Sequence, residues 1–281
     1  MSTPTILVGC DPELFMKNAN DGSFVSAHDR VPGTKYKPFK VEYGAVQIDG
    51  TALEFNIDPA ASVDEFVRNI KAVRKSLEGF VPGYNVVAEP VALYDKKYFT
   101  HEIPGYAKTL GCDPDYNAWT LGQNPPPNAG KNPMRTGAGH IHIGWTDGAD
   151  VFDKEHYILA ARIARQCDYY LGIQSLLWDS DPTRRLLYGK AGAFRPKHYG
   201  VEYRTLSNRW LSSDALTAWV YNAALLATKD AFGGFWAEDS YGDSARGIID
   251  TNNTEWFNDY QFDLGLEGLP VDTEELASVA V

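Results

Sequence analysis

Four stretches of this chain that otherwise read as β-strand carry polar side chains two residues apart: Asp11 and Glu13, Glu54 and Asn56, His140 and His142, Glu202 and Arg204. Side chains at i and i+2 of an extended chain point to the same face. The residues next to them face the other way, as Ile141 and Ile143 do beside the two histidines. A sheet built from these strands has one face fit for a core and one face of Asp, Glu, His and Arg that cannot be a core. Any one pair also fits a half-solvated antiparallel sheet; four of them point to a functional face. Carboxylates gathered on one face repel and take up protons unless cations neutralise them. The simplest neutraliser is a divalent metal. Oxygen donors with one or two imidazoles suit Mg²⁺ or Mn²⁺ better than a closed zinc site.

The chain has 281 residues, of which 44% are hydrophobic and 22% charged, proportions of a globular protein with one large domain or two modest ones. No apolar run reaches membrane-spanning length, and Met1-Ser-Thr-Pro-Thr lacks the basic start of a signal peptide. Cys10, Cys112 and Cys167 are too scattered for a disulfide framework or a paired-cysteine zinc site. A reducing cytoplasm is expected. Cys112 has no paired histidine signature nearby and is not expected to be a nucleophile.

The net charge of −11 is unevenly placed. Residues 236–281 hold eleven acids and one base, Arg246, so they carry −10 and the first 235 residues nearly balance. Within that body Arg184, Arg185, Lys190, Arg195, Lys197, Arg204 and Arg209 face a single acid, Glu202, over 26 residues. A local basic excess in an acidic protein suits a small anion better than a nucleic-acid backbone. The division expected is a catalytic domain over 1–235 and an acidic extension over 236–281, packed to about residue 270 and frayed beyond.

Residues 6–16 read as a strand interrupted at Asp11-Pro12-Glu13, and 45–57 as a strand pair turning at Asp49-Gly50. Ser62 and Glu65 form a capping box for a helix with the stripe Phe66, Ile70, Val73 and Leu77, closed by Gly79. Val86–Leu93 reads as one strand, 96–136 as a long loop region with Pro125–Pro127, and His140–Trp145 as a buried strand. A helix is expected over about Asp153–Leu177, a strand over Gly200–Leu206, and a last helix from a Ser213 or Asp214 cap to Gly233-Gly234. Hairpins first and strands mixed with long helices later indicate an α+β fold with a largely antiparallel sheet. Gly189-Lys190 is followed by Ala191, so there is no Walker loop, and the Gly-Lys-Ala-Gly stretch reads as a tight turn.

Three motifs carry a resemblance. Gly9-Cys-Asp-Pro-Glu-Leu-Phe15, Thr136-Gly-Ala-Gly-His-Ile-His142 and Glu202-Tyr-Arg204 resemble, in the same order, the metal- and nucleotide-binding strands of glutamine synthetases. With Gly111–Trp119 and Arg185–Gly192 they make the chain similar, over residues 8–212, to the phage COOH-NH2 ligase (putative amidoligase) family of the glutamine synthetase/glutamate–cysteine ligase superfamily. The resemblance implies a glutamine synthetase-like catalytic fold, with a curved, mostly antiparallel sheet bearing the metal face and helices on the other. It also implies an ATP- and Mg²⁺- (or Mn²⁺-) dependent ligase that joins a carboxylate to an amine through an acyl phosphate, with two or more metal ions. Glu13, Glu54 and Asp49 would hold one metal, and Asp11, His140 and Glu202 the other. His142 would lie toward the nucleotide. Arg195 and Arg204, with Glu202, would serve catalysis at the phosphates or the activated carboxylate, backed by Arg184, Arg185 and Lys190. Asp49, Asn56, Arg135 and Arg204, with the loop Cys112–Trp119, would meet the substrates. Asp11 stands where glutamine synthetases have Glu, and Asp49 and Glu54 are five apart instead of eight.

The implied partners are a small-molecule or peptide carboxylate and an amine, with a modified nucleotide also open, no membrane, and a homo-oligomer compatible with the reading. Two other readings of the same residues stand beside the ligase. One is a phosphotransferase of the same fold without an amine acceptor. The other is a metalloenzyme built on His140 and His142 that does not use ATP.

Overall fold

The computed structural model describes residues 4–108, 115–125, 132–255 and 269–270. Two strands, β1 (Leu7–Cys10) and β2 (Glu13–Asn18), open the fold and are separated by Asp11 and Pro12. The short β3 (Phe24–Val25) and β4 (Phe39–Val41) follow, then the hairpin β5 (Gly44–Asp49) and β6 (Ala52–Ile57). The next strands are β7 (Tyr84–Val87), β8 (Val91–Leu93), β9 (Tyr116–Asn117), β10 (Met134–Thr136) and β11 (Ile141–Gly144). The last are β12 (Ala193–Lys197) and β13 (Gly200–Tyr203). One sheet runs β1-β11-β13-β12-β9 and another β3-β2-β6-β5-β4 with β7 beside β2; β8 and β10 pair apart from both. Every pairing between these strands is antiparallel, so the α+β expectation holds.

The two large sheets meet at Asp11-Pro12. Asp11 N–H donates to His140 O (3.4 Å) and Glu13 N–H to Ala138 O (2.9 Å), while Phe55 N–H donates to Pro12 O (3.3 Å). The chain thus leaves one sheet and enters the other within two residues, and the whole curls around a concave side. Three helices cover the convex side. Val63–Phe80 lies on β5 and β6, Lys154–Cys167 on β12 and β13, and Asp214–Phe232 packs against both helices and β1. The core they share includes Val8, Cys10, Leu53, Phe55, Ile141, Ile143, Val201 and Tyr203, the alternate residues of the strands. A second cluster of Phe15, Ala52, Tyr94, Phe99 and Ile103 sits under the excursion after β7. Among the described residues no helix is long and apolar enough to cross a membrane.

Several elements differ from expectation for local reasons. The stretch Val86–Leu93 is divided between β7 and β8, because Pro90 offers no N–H to a ladder. Gly79 lies inside the first long helix, which ends at Phe80 with Val81 N–H donating to Glu78 O. Its capping box is half formed: Ser62 Oγ accepts from Glu65 N–H (3.3 Å), but the Glu65 carboxylate accepts from Ala61 N–H (2.9 Å) rather than from Ser62. The 96–136 region holds a helix, Lys96–His101, capped by Asp95 through Tyr98 N–H (2.8 Å), together with β9 and β10. Strand β12 arises inside the arginine-rich segment, where no strand is expected. The motif residues 111–114, Cys112 among them, the Pro126–Pro127 part of the proline run, and most of the extension beyond 255 lie outside the described residues.

The expected helix Asp153–Leu177 is regular only to Cys167. It then widens into one π turn, Asp168–Gly172, before a last helical turn at Ser175–Trp178. Asp168 is wholly buried there, its Oδ1 accepting from Tyr203 Oη (2.8 Å) and its Oδ2 from Trp119 Nε1 (2.7 Å). Gly172 permits the approach, since a Cβ would stand 2.6 Å from Tyr203 Oη. Burial pushes the Asp168 carboxyl up to about 7, against the pull of these donors. A carboxyl raised in the folded state adds stability that is complete below about pH 4 and lost as pH rises through its folded value. Urea titrations should therefore show wild type losing stability between about pH 4 and pH 7 relative to Asp168→Asn. Parallel pH profiles for the two proteins would contradict the assignment.

Candidate active site

The strand residues that point away from the core line a cleft of about 890 Å³ on the concave side. Strand register delivers them. Gly9 of β1 stands opposite His142, His142 opposite Glu202, and Glu202 opposite Arg195, so three neighbouring strands place His142, Glu202 and Arg195 in one row. In the other sheet Glu13 pairs with Glu54, and Glu54 with Gln47. Asp11, at the junction, joins the first row.

The first group centres on Glu202, which is fully buried. Its carboxylate contacts the Arg204 guanidinium, Lys197 Nζ (2.6 Å), Arg195 Nη1 (3.7 Å) and His140 Nδ1 (3.4 Å). Burial opposes ionisation of Glu202, but Arg204, Lys197 and the two histidines hold it well below the usual carboxylate range. Asp115 completes the ring, with Oδ1 2.5 Å from Arg204 Nε and 3.5 Å from Arg195 Nη2. Asp11 Oδ1 lies 3.1 Å from His140 Nδ1 and 3.0 Å from His142 Nε2. Burial raises the Asp11 carboxyl, yet His142 and His140 outweigh it and hold the group ionised. Burial and then Arg204 depress His140, whereas His142 is raised because Asp11 and Glu202 outweigh its burial.

The second group is Glu13, Asp49, Glu54 and Arg135. Arg135 Nη2 bridges Glu13 Oε1 (3.0 Å) and Asp49 Oδ2 (2.8 Å), and Glu13 Oε2 accepts from Ala138 N–H (3.0 Å). Gln47 Nε2 donates to Glu54 Oε2 (2.7 Å). Burial raises both glutamates, Glu54 further because Asp11, Asp49 and Glu13 add like charge. Glu13 and Asp49 share the Arg135 guanidinium, and the like charge that raises Glu54 makes this end of the cleft favourable to further cation.

Whether a divalent metal fits can be asked of the donors themselves. Among the described residues Asp11, His142 and Glu202 each offer one ligand atom, and all three atoms lie within 4.8 Å of one another. His142 Nε2 makes no hydrogen bond despite its closeness to Asp11, and its Nδ1 is held by Tyr199 Oη, with the two rings stacked. A neutral His142 with its proton on Nδ1, donated to Tyr199, would turn its Nε2 lone pair to a cation shared with the two carboxylates, as a metal-ligating imidazole requires. His140 Nδ1 is crowded by Asp11, Glu202 and, at 3.2 Å, Arg204 Nη1, and one ring nitrogen cannot satisfy all three. The donors fit a hard or borderline cation. The histidine in this trio is His142, expected toward the nucleotide, and not His140.

The remaining expected residues divide. Asn56, Arg135, Arg195 and Arg204 line the cleft. Arg184 reaches its edge but is spent on backbone, Nη1 donating to Thr205 O (2.7 Å) and Nη2 to Arg204 O (3.3 Å). Arg185 turns away from the cleft to Asp179 O (2.8 Å) and Asn252 Oδ1 (3.0 Å). Lys190 is not among the residues lining the cleft, and its carbonyl accepts from Thr205 Oγ1 (3.0 Å). Tyr199 and Gln47 belong to the site without having been expected, whereas Lys197 enters the expectations only as part of the basic segment and Asp115 only within the loop Cys112–Trp119. Lys197 had a signal, because it stands two residues after Arg195.

Residues 129–233 match the family model described as phage phiEco32-like COOH.NH2 ligase-type 2. This bears out the family that the motifs resemble. The family's name is that of a ligase joining a carboxyl group to an amine. The matched COOH-NH2 ligase segment contains Arg135, both site histidines, Arg195, Glu202 and Arg204, while Asp11, Glu13 and Glu54 come from strands before it. No curated protein matches the chain.

Removing one partner of a buried ion pair leaves the other charge uncompensated, at a cost of about 3 kcal/mol or more. Arg135→Ala should lower stability to urea by about that amount. Adding Glu13→Gln to it should restore part of the loss, and strict additivity of the two changes would rule out the bridge.

Proposed function

We propose that the chain is a carboxylate–amine ligase that uses ATP and Mg²⁺ or Mn²⁺ and works through an acyl phosphate on a glutamine synthetase-like sheet. The observation that carries the reading is the meeting, in one cleft, of an acid–imidazole trio (Asp11, His142, Glu202) with the cations Arg195, Lys197 and Arg204. Phosphoryl transfer needs both sets: donors to hold metal and cations to steady the transferring phosphate. The family match supports the acid and amine as substrates.

In this reading Asp11, His142 and Glu202 hold one metal, and Glu13, Glu54 and Asp49 offer oxygens for another. Bound there, the ions would neutralise phosphate oxygens. Arg195, Lys197 and Arg204 are held against Glu202 and Asp115, and turn part of their charge to the phosphates when nucleotide enters. Arg135, with Asn56 and Asp49 nearby in the same wall, orients the acid and the amine. A carboxylate oxygen of the acid attacks the γ-phosphorus and ADP leaves. The amine nitrogen then attacks the acyl carbon, loses a proton, and phosphate departs, leaving the amide.

Glu202→Gln and Glu13→Gln should each reduce metal-dependent ADP release at least about 100-fold while the far-ultraviolet circular dichroism stays that of wild type. With mixtures of acids and amines, ADP release should require an amine, and the product mass should equal the two components less one water. Release independent of any amine would favour a phosphotransferase. Tightly held zinc or iron with no thermal shift on adding ATP would reject the ligase reading.

A further inference from the structure

The segment after the last long helix has no part in the mechanism above, yet its side chains lead back to the cleft. Helices Ala237–Tyr241 and Ser244–Thr251 bury Ala237, Ala245, Ile248 and Ile249 in the main core. Glu238 pairs with Arg162 Nε (2.6 Å) and Arg165 Nε (2.7 Å), and Gly242 O accepts from Tyr169 Oη (2.7 Å). At the end of the second helix Asp250 Oδ1 accepts from Ala191 N–H (2.9 Å). Two residues on, Asn252 sits in the left-handed region (φ 53°), where it accepts from Arg185 and donates to Ser180 O (3.2 Å).

Ala191 belongs to the turn Lys190–Ala193, from which β12 departs. From the Lys190 carbonyl to the Ala193 carbonyl, the backbone groups of this turn have partners. Ala191 O accepts from Asn117 Nδ2 (3.3 Å) and Gly192 O from Ala118 N–H (2.8 Å), while Gly192 N–H donates to Asp168. Ala193 O accepts from Arg204 N–H (2.8 Å), and Lys190 O from Thr205 Oγ1 (3.0 Å). The turn therefore sets the backbone of Arg204 directly and that of Arg195 two residues along β12. Gly192 (φ 67°) fits against Trp119, where a Cβ would meet Cδ1 at 2.6 Å, so the turn has no room to relax sideways.

We propose that Asp250 is a positioning residue, and that residues 237–252 form a clamp which locks the Lys190–Ala193 turn and through it aims Arg195 and Arg204 at the bound anion. The inference rests on the reading of those arginines as phosphate-facing. Its geometric half, that Asp250 holds the turn, stands without it. A carboxylate and a carboxamide can both accept the Ala191 N–H, so Asp250→Asn keeps the contact and Asp250→Ala removes it.

The test uses the full chain as wild type, Asp250→Ala and Asp250→Asn. Hydrogen exchange followed by mass spectrometry reads the 188–194 turn, and calorimetry reads the affinity for Mg·ATP. Asp250→Ala should exchange faster at 188–194 with the helix Asp214–Phe232 unchanged, and bind Mg·ATP about 5-fold more weakly, the worth of one hydrogen bond. Asp250→Asn should match wild type in both measurements. The clamp is overturned if Asp250→Ala leaves exchange at the turn unchanged, if Asn fails to rescue, or if wild-type affinity persists while the turn loosens. If wild type itself binds no Mg·ATP, the ATP reading fails and so does the aiming role. The exchange arm then still decides whether Asp250 holds the turn.

Discussion

Glu202 is the constraint around which the catalytic side is arranged. An ionised carboxylate with no exposed surface costs several kcal/mol in desolvation unless its neighbours return that energy. Here they come from both flanking strands and from its own, with His142 across one ladder, Arg195 and Lys197 along the other, and Arg204 two residues on. The partners must arrive in register, because a slip of one residue would turn each of them into the core. Asp168 under Tyr203 and Arg184 under the carbonyls of Arg204 and Thr205 hold β13 in that register from the core side. The π turn at Asp168 and the buried guanidinium of Arg184 are understandable as supports for one central strand.

The two-residue pairs were legible in the sequence because strand geometry is local, so Asp11, Glu13, Glu54, His142 and Glu202 all point where alternation sends them. Which of them meet was not legible. Choosing His142 over His140 for the trio depends on a rotamer fixed by Tyr199, which lies in the turn between β12 and β13. Arg185 faces away from the cleft because of the phase of a five-residue helix, and no periodicity can be read over so short a run. Strand β12 was hidden because Arg195-Pro196-Lys197 lacks apolar alternation, and Pro196 is tolerated where β9 no longer pairs. Asp115 sits just before β9 and reaches Arg204 only through tertiary packing.

The site is also divided between parts of the chain far apart in sequence. The segment matching the ligase family supplies the strands that carry His142, Arg195 and Glu202. The opening residues supply Asp11 and the acids of the second sheet, delivered because β1 pairs with β11 and β2 with β6. Neither portion alone contains both a metal-competent trio and its balancing charge.

Pro12 alone separates the acid that serves one group from the acid that serves the other. Asp11 points to the histidines and Glu202, and Glu13 to Arg135 and Ala138. The Cα atoms of the two acids are therefore two backbone steps apart, at most about 7 Å of chain. Such a covalent ruler does not drift when core residues are exchanged, and the helices behind the sheets can vary without altering it. A one-residue insertion or deletion at this crease would change the gauge outright.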